Sequence, residues 1–347
     1  RAAARASATD ATPALTDDDL VGALDVIRPV SRLRTPEVAV GSITLDDVGD
    51  MTETSNESAG GAATNGAVTA AAPLDHGNGP QHTDAPSDVL NRPVTSLVSG
   101  PTIDVQLAHR TIRAYTEEPV GEDVVTTLLD VARHSATSSF RQQVTVIRVL
   151  DPAIREEIHA VSGQPYVGGS RGELLMFVVD LHRNAVLRER AGADVEPVER
   201  TNLFLQAVED TVIAAQNVVV AAESLGLGTT YLGSIATDPR RIIAALGLPR
   251  HTYPLLGLLV GHPDQEPQCK PRLPREITTA VDSYPEVTDH LEALEAYDRT
   301  VHEYYDLRQA NKRSDTFTAQ VVRTLGDGGS SSSPVLEILH EQGLCLR

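Results

Sequence analysis

The chain has 347 residues, a formal net charge of −19, two cysteines and no tryptophan. This acidity disfavours nucleic acid as a partner, because binding to phosphate backbones needs clustered positive charge. Cys269 and Cys345 form no CxxC pair, so we expect a reducing, cytoplasmic environment. The longest apolar-rich stretch, 211–224, is shorter than the roughly 18–20 residues of a membrane span, and the N-terminus has no apolar signal core. We therefore expect a soluble protein with no membrane partner.

The first hundred residues differ from the rest in composition. All eight tyrosines and all four phenylalanines lie after residue 100. Residues 1–100 are rich in Ala, Ser and Gly and are acidic, so they bury too little apolar surface to offset the entropy cost of ordering. We predict a mostly disordered N-terminal extension, with one short helix over 17–30. Met51 opens a segment that reads like a natural N-terminus, and an ordinary internal methionine is an equal alternative.

Residues 101–347 have the periodicity and punctuation of a folded domain. In 151–163, for example, Asp at the N-cap, Pro in the first turn and a final Gly predict a helix. Runs rich in β-branched and aliphatic residues predict strands. The predicted helices are 121–135, 151–163, 204–226, 238–247 and 286–309, and the predicted strands are 143–150, 173–181, 229–235 and 253–263.

Alternating strands and helices over about 180 residues indicate an α/β or α+β sandwich with a central sheet. The helix over 204–226 is apolar nearly all round, which predicts that the core encloses it. Residues 285–347 are expected to form a C-terminal helical arm that reaches away from the core.

Two glycine-rich motifs do not have the context that their function requires. "GLGTTYLG" (226–233) has Tyr231 at the third glycine position and follows a helix, whereas a dinucleotide-binding fingerprint follows a strand. "GGSRG" (168–172) matches the letters of a nucleophile elbow, but the predicted strand comes after it, so Ser170 is expected to be an ordinary loop serine. No pair of histidines has a metal-ligand spacing such as HExxH, so we expect no metal site.

Positive charge is concentrated in two short segments, "HRTIR" (109–113) and "KPRLPRE" (270–276), the second of which holds one of the two lysines. Each segment is either solvated surface charge or part of an anion site, in which Arg and Lys bind phosphate through charge-assisted hydrogen bonds. "SATSSF" (135–140) is either a simple polar loop or a source of hydroxyl groups for a polyol or a phosphate.

Taken together and in this order, these stretches resemble the nitroreductase family of flavoenzymes, in particular its NADPH-dependent, oxygen-insensitive nitroreductases and flavin reductases. The most specific match is "AAESLGLGTTYLGSI" followed by "GHPDQEPQCKPRLP". Further matches are "HRTIRAYTEEPV", "ARHSATSSFRQ", "SGQPYV" and "YYDLRQANKRSDTF", so that the similarity covers about 103–347. The resemblance implies an α+β, FMN-binding fold, with a central mixed sheet flanked by helices. It also implies an intertwined homodimer with FMN at the subunit interface.

The resemblance further implies which residues contact FMN. Arg113 would lie near the pyrimidine edge of the flavin, where a fixed cation stabilises the negative charge of the reduced ring. A backbone N–H, that of Gly233, would face the flavin N5 or O4. The implied phosphate and ribityl contacts are His109, Arg110, Thr111, Lys270 and Arg272. The other implied ribityl and ring contacts are Thr137, Ser138, Ser139, Gln164, Tyr166, Tyr231, Leu232 and Ser234.

The adenosine 2′-phosphate of NADPH would need cations, and Arg308, Lys312 and Arg313 offer them by family pattern. Cations that compensate the dipole at a helix C-terminus are the alternative interpretation. The implied activity is a ping-pong, two-electron reduction of nitroaromatics, quinones or free flavin, in which no protein side chain acts as nucleophile. A flavin carrier or sensor on the same fold is a second hypothesis. A serine hydrolase that uses Ser170 is a third.

Overall fold

The computed structural model describes residues 98–309, 315–325 and 334–347, with the side chains of 305–309 excepted. The N-terminal extension and the short helix predicted over 17–30 lie outside the described residues and stay predictions. The helices of the described residues are α1 (Pro101–Leu107), α2 (Glu122–Arg133), α3 (Pro152–Ser162), α4 (His182–Arg190), α5 (Thr201–Ser224), α6 (Pro239–Leu246), α7 (Arg275–Thr278), α8 (Leu291–Gln309), α9 (Phe317–Leu325) and α10 (Val335–Glu341). The strands are β1 (Val144–Arg148), β2 (Glu173–Asp180), β3 (Gly228–Leu232) and β4 (Thr252–Gly261).

Local sequence signals account for the helix boundaries that were predicted. At α3 the Asp151 side chain accepts a hydrogen bond from the Ala153 N–H at 2.8 Å, and Gly163 ends the helix in the left-handed conformation at φ 62°. The same pattern recurs at α6, where Asp238 caps the start and Gly247 ends it at φ 60°. The strand predicted over 229–235 is shorter than expected, because the chain turns into a 3₁₀ helix after Leu232.

The four strands form one sheet in the order β1-β2-β4-β3, and neighbouring strands are antiparallel. A parallel contact is added where Thr111 bridges Thr229, so the sheet is mixed. β2 lies inside the sheet, and seven of its eight residues are buried, as its continuous apolar run predicts. The predicted site residues 231–234 span the end of β3, which pairs at one side of the sheet.

Helices cover both faces of the sheet. Because side chains alternate along a strand, Leu175 and Phe177 pack with α2 and α5 on one face. Leu174 and Met176 pack with α3 and α6 on the other face. The result is the layered α+β architecture that the alternation of elements predicted.

The prediction that the core encloses α5 is wrong for this chain, because α5 is buried along one side only. Its inner side packs on the sheet and on α2, while Leu205, Val212 and Ile213 are exposed. By length and composition α5 is also the one helix of the described residues that could cross a membrane. Its packing against the sheet is that of a core helix in a globular protein.

The described residues of the C-terminal segment 285–347 form three α-helices, of which only α8 was predicted. α8 packs against α9 through an aromatic contact, in which the Tyr297 and Phe317 rings lie 5.5 Å apart edge to face. α10 returns to the core, where Ile338 and Leu339 join a cluster around Val179. The segment therefore does not reach away from the core along its whole length, because its last apolar residues are buried there.

Candidate functional site

The basic segment 109–113 lies alongside β3. Thr111 bridges Thr229, and the Ile112 N–H donates to the Thr229 carbonyl at 2.9 Å. The Thr230 hydroxyl donates in turn to the Ile112 carbonyl. This close approach requires Gly228, since a Cβ there would lie 2.6–2.8 Å from three side-chain atoms of Ile112. The pairing brings two predicted groups of site residues, 109–113 and 231–234, to the same edge of the sheet.

His109 is held by an acid that the sequence analysis did not select. His109 Nδ1 lies 2.7 Å from Glu223 Oε1, and the Thr229 hydroxyl donates to the same oxygen at 2.7 Å. The Glu223 side chain is only 13% exposed. Because a carboxylate accepts here, Nδ1 carries a hydrogen, and Nε2 remains for another partner. The position of Glu223 at the end of α5, next to "SLGLG", is the signal that could have indicated it.

Arg110 lines the same cavity as this carboxylate. Arg110 and Glu223 line a cavity of about 300 Å³, together with Ile112 and Gly228. The Arg110 Nε is buried and donates to no group among the described residues. A buried donor without an acceptor is uncommon in folded proteins and indicates a missing hydrogen-bond partner.

The second basic segment converges with the first on a neighbouring cavity of about 410 Å³. Thr111, Lys270 and Arg272 line this cavity. Its remaining wall is largely aromatic and comes from the C-terminal segment, where α8 supplies Tyr297 and Tyr304. The hydroxyl of Tyr297 donates to the Pro271 carbonyl at 3.2 Å, which ties α8 to the basic segment. The sequence analysis did not assign the two tyrosines to the site, since their helix is distant in sequence from both basic segments.

Tyr166 packs against the apolar cluster that contains Tyr115, and Arg113 lies two residues before Tyr115 in the chain. Tyr115 is buried, and its hydroxyl donates to the Ile112 carbonyl at 2.8 Å. Burial raises the pKa of Tyr115 above its ordinary value. Arg113 itself is exposed, whereas Tyr166 is half-buried.

A buried arginine holds the loop that carries Gln164 and Tyr166. Arg155 donates to the carbonyls of Val167 at 2.8 Å, of Gly172 at 2.8 Å and of Arg171 at 2.6 Å. Burial lowers the pKa of Arg155 below its ordinary value. The same loop contains "GGSRG", and β2 begins after it at Glu173, as predicted, so this is not the strand-turn-helix of a nucleophile elbow.

Tyr231 lies at the end of β3, and Gly233 follows the strand. The Tyr231 hydroxyl donates to Gln216 Oε1 at 3.2 Å. Burial, with a smaller contribution from Glu223, raises the pKa of Tyr231 to about 12. Leu232 is buried, and Gly233 and Ser234 begin the 3₁₀ helix that follows. A Cβ on Gly233 would have no heavy atom within 4 Å, so the backbone there is open to a ligand.

The serine-rich segment 137–139 lies elsewhere in the chain. The Ser138 N–H donates to Asp210 Oδ1 at 2.8 Å, and Asp210 is 1% exposed. Ser139 and Phe140 both have left-handed backbones, at φ 51° and 55°. On α5, Asp210 is 13 residues before Glu223, which is about 20 Å along a helix. Within one chain, the structure therefore does not bring Thr137, Ser138 and Ser139 together with His109.

The residues predicted to bind NADPH are not described in full. Arg308 lies in α8, but its side chain is among those not described, and Lys312 and Arg313 lie outside the described residues. Their role stays a prediction. Among the described residues, no group of three or more His, Cys, Asp or Glu side chains could hold a metal ion.

Comparisons with known proteins match this architecture. A nitroreductase family model matches residues 107–262, and a model of the C-terminal domain of the same family matches 270–347. The chain is 34% identical over 246 residues to a Vibrio harveyi NADPH-flavin oxidoreductase, which covers 71% of this chain and 99% of the relative. It is 36% identical over 224 residues to a Bacillus subtilis FMN reductase (NADPH), which covers 64% of this chain and 90% of the relative.

Solved structures of related proteins superpose on this fold. A nitroreductase from B. subtilis superposes with a TM-score of 0.67 at 32% identity, over 71% of this chain and all of the other. The V. harveyi NADPH:FMN oxidoreductase in complex with NAD+ superposes with a TM-score of 0.63 at 33% identity, over 72% of this chain and all of the other. From these matches, and from the layered fold that carries them, we conclude that the chain belongs to the nitroreductase family.

Proposed function

We propose that this protein is an FMN-dependent NADPH oxidoreductase that transfers two electrons at a time to nitroaromatics, quinones or free flavin. The observation that carries the proposal is the convergence of Thr111, Lys270 and Arg272 on one cavity, with Thr111 bridged to Thr229 near the start of β3. Relatives that share the fold and about a third of the sequence are a flavin oxidoreductase and an FMN reductase that use NADPH.

The residues present fit the phosphate of FMN. Lys270 and Arg272 supply positive charge, and Thr111 supplies a hydroxyl donor on the same wall. Arg110 contributes a buried Nε without an acceptor among the described residues, which is what a phosphate oxygen would satisfy. His109, whose Nδ1–H donates to Glu223, would bind the same anion as an imidazolium that donates its Nε2–H. Together these five residues would hold the phosphate end of the cofactor.

The residues at the end of β3 and in the 164–172 loop would hold the ring. When bound, FMN supplies the hydride chemistry, accepting two electrons from NADPH and passing them to the second substrate. Arg113 would stabilise negative charge on the ring, and the backbone N–H of Gly233 would donate to it. Tyr231 stays a neutral donor across the physiological range, because its pKa is about 12. The other proposed ring and ribityl contacts are Thr137, Ser138, Ser139, Gln164, Tyr166, Leu232 and Ser234.

We propose that the site is completed by a second copy of the chain. In support, the outer side of α5 exposes Leu205, Val212 and Ile213, and the serine-rich segment lies about 20 Å along α5 from the level of His109. A twofold axis across α5 would set the two helices antiparallel and would bring one subunit's serine-rich end toward the other's His109 end. The proposed assembly is therefore an intertwined homodimer.

The homodimer can be tested by placing a charge on α5. Ile213→Asp should convert the dimer to a monomer in light scattering and should release flavin, whereas Leu187→Asp, on exposed α4, should do neither. A dimer that survives Ile213→Asp with its flavin intact would refute this interface.

NADPH preference is assigned to Arg308, Lys312 and Arg313. Replacing Arg308 and Arg313 by alanine should raise the KM for NADPH far more than the KM for NADH, because only NADPH carries a 2′-phosphate. Equal increases would remove this assignment. A cytoplasmic location is part of the proposal, since NADPH is supplied there and both cysteines are free.

The oxidoreductase activity itself is tested by colour and turnover. Purified protein should be yellow, should bleach with NADPH in the absence of oxygen, and should oxidise NADPH steadily when a quinone or a nitroaromatic is added. Protein that takes up no FMN would refute the proposal. Protein that binds FMN without turnover would instead be a flavin carrier or sensor. Esterase activity lost in Ser170→Ala would indicate the hydrolase alternative.

A further inference from the structure

A third cavity, of about 340 Å³, shares only Ser139 with the proposed phosphate and ring contacts described above. It is formed where the serine-rich segment, α4 and the start of α5 meet. Three arginines line it: Arg141 after the serine-rich segment, Arg188 on α4 and Arg200 directly before α5. We name it the arginine cavity. No Asp or Glu is among the described residues that line it.

Two of the three arginines have no carboxylate partner among the described residues. Arg141 donates to the neutral amides of Gln143, at 3.2 Å, and of Gln206. Arg188 donates through Nε to a backbone carbonyl, that of Asp194. Only Arg200 is paired with an acid, Glu196, at 2.9 Å. Positive charges that line the same cavity repel each other, and this repulsion is relieved when an anion binds between them.

The cavity also contains a donor without an acceptor. Asn184 lies four residues before Arg188, on the same side of α4. Its Nδ2 is buried and has no hydrogen-bond partner among the described residues. The terminal nitrogens of Arg188 are likewise unused within the described residues, and Ser139 supplies a hydroxyl at the rim. The lining is therefore rich in donors, and the complementary ligand is rich in acceptors.

We propose that the arginine cavity binds the phosphate group of a phosphorylated small molecule, at a site separate from the flavin site. A phosphate offers three acceptor oxygens and negative charge to the guanidinium groups. The volume is in the range of small-molecule pockets, so it holds more than a bare phosphate. The flavin phosphate is assigned elsewhere, to Thr111, Lys270 and Arg272. The binding proposed here needs no flavin chemistry.

The test is calorimetric titration of FMN-loaded protein with inorganic phosphate, AMP and adenosine. We expect saturable binding of AMP that weakens as salt is raised, weaker binding of phosphate, and none of adenosine. Arg188→Gln should weaken AMP binding about tenfold or more and should leave FMN content unchanged. Arg188→Lys keeps the charge and should retain part of the affinity. Arg190→Gln, on the same helix but exposed, is the matched control and should stay within about twofold of wild type.

Three outcomes would overturn the proposal. The first is that no phosphate-bearing probe binds in the millimolar range. The second is that AMP binds wild type and Arg188→Gln equally. The third is that AMP binds only after FMN is removed, or that Arg188→Gln loses FMN, since the cavity would then belong to the flavin site. Circular dichroism of each variant verifies that it folds, and Arg141→Gln replaces Arg188→Gln if that variant does not.

Discussion

Replacement of Gly228 by alanine tests the close pairing of segment 109–113 with β3. A Cβ at residue 228 would lie 2.6 Å from Ile112 Cγ1, 2.7 Å from its Cβ and 2.8 Å from its Cγ2. Ordinary carbon–carbon contacts are about 3.5–4.0 Å, so the chain must open by about 1 Å. Ile112 is branched and buried, and its N–H is bonded to the Thr229 carbonyl, so rotation of the side chain alone cannot relieve all three contacts.

Overpacking of this kind costs about 1–3 kcal/mol, which for a domain of this size lowers the thermal midpoint by about 2–12 °C. Urea unfolding of the flavin-free protein measures the stability, and fluorescence titration with FMN measures the affinity. We expect both to decrease, because the moved segment carries His109 and Thr111. Gly121→Ala is the control, since residue 121 has an ordinary φ of −60° and open space around it. A free energy of unfolding within about 0.5 kcal/mol of wild type would refute the close pairing.

Three further substitutions test individual contacts. Glu223→Gln should weaken FMN binding about tenfold but leave riboflavin binding unchanged, because His109 is assigned to the phosphate that riboflavin lacks. Equal losses of affinity for FMN and riboflavin would contradict the assignment of His109 to the phosphate. Asp210→Ala should destabilise the protein by about 1–3 kcal/mol in urea, since the half-buried Ser138 N–H loses its acceptor, and Asp210→Asn should recover part of this stability. An unchanged unfolding midpoint in Asp210→Ala would contradict this role of Asp210. Tyr115→Phe should cost about 1 kcal/mol at neutral pH. Burial raises the pKa of Tyr115 in the folded state, so the stability that the neutral phenol contributes is present below about pH 10 and is lost as the pH rises above it. The free energy of unfolding of Tyr115→Phe should therefore differ less from that of wild type at alkaline pH, as unfolding measured across pH would show.

Most of the secondary structure could be predicted from the sequence, because capping and periodicity depend on residues that are close together in the chain. Asp151 and Gly163 mark α3 in the sequence as clearly as they do in space. Among the helices that were missed, α4 and α10 have weaker marks. α4, "HRNAVLRER", has few apolar residues, and its start has no side-chain cap. α10 is only seven residues long, and its burial depends on a cluster around Val179, which is distant in sequence.

The candidate site was anticipated through resemblance more than through local pattern. The two basic segments were visible as charge, but whether they met on one cavity could not be decided from charge alone. Glu223 stands next to "SLGLG" at the end of α5, but this position alone does not show that it faces His109. The pairing of segment 109–113 with β3 makes it a partner of His109.

Local sequence patterns marked five of the ten helices and all four strands of the described residues, the burial of β2, and the different composition of the first hundred residues. The tertiary structure decided which side of α5 faces outward, that Tyr297 and Tyr304 form a wall beside Lys270, and that three arginines share one cavity. The physical reason is the range of the interactions. Caps and periodicity are satisfied by neighbours along the chain, whereas cavities are built from side chains that only the strand order β1-β2-β4-β3 and the packing of helices upon it bring together.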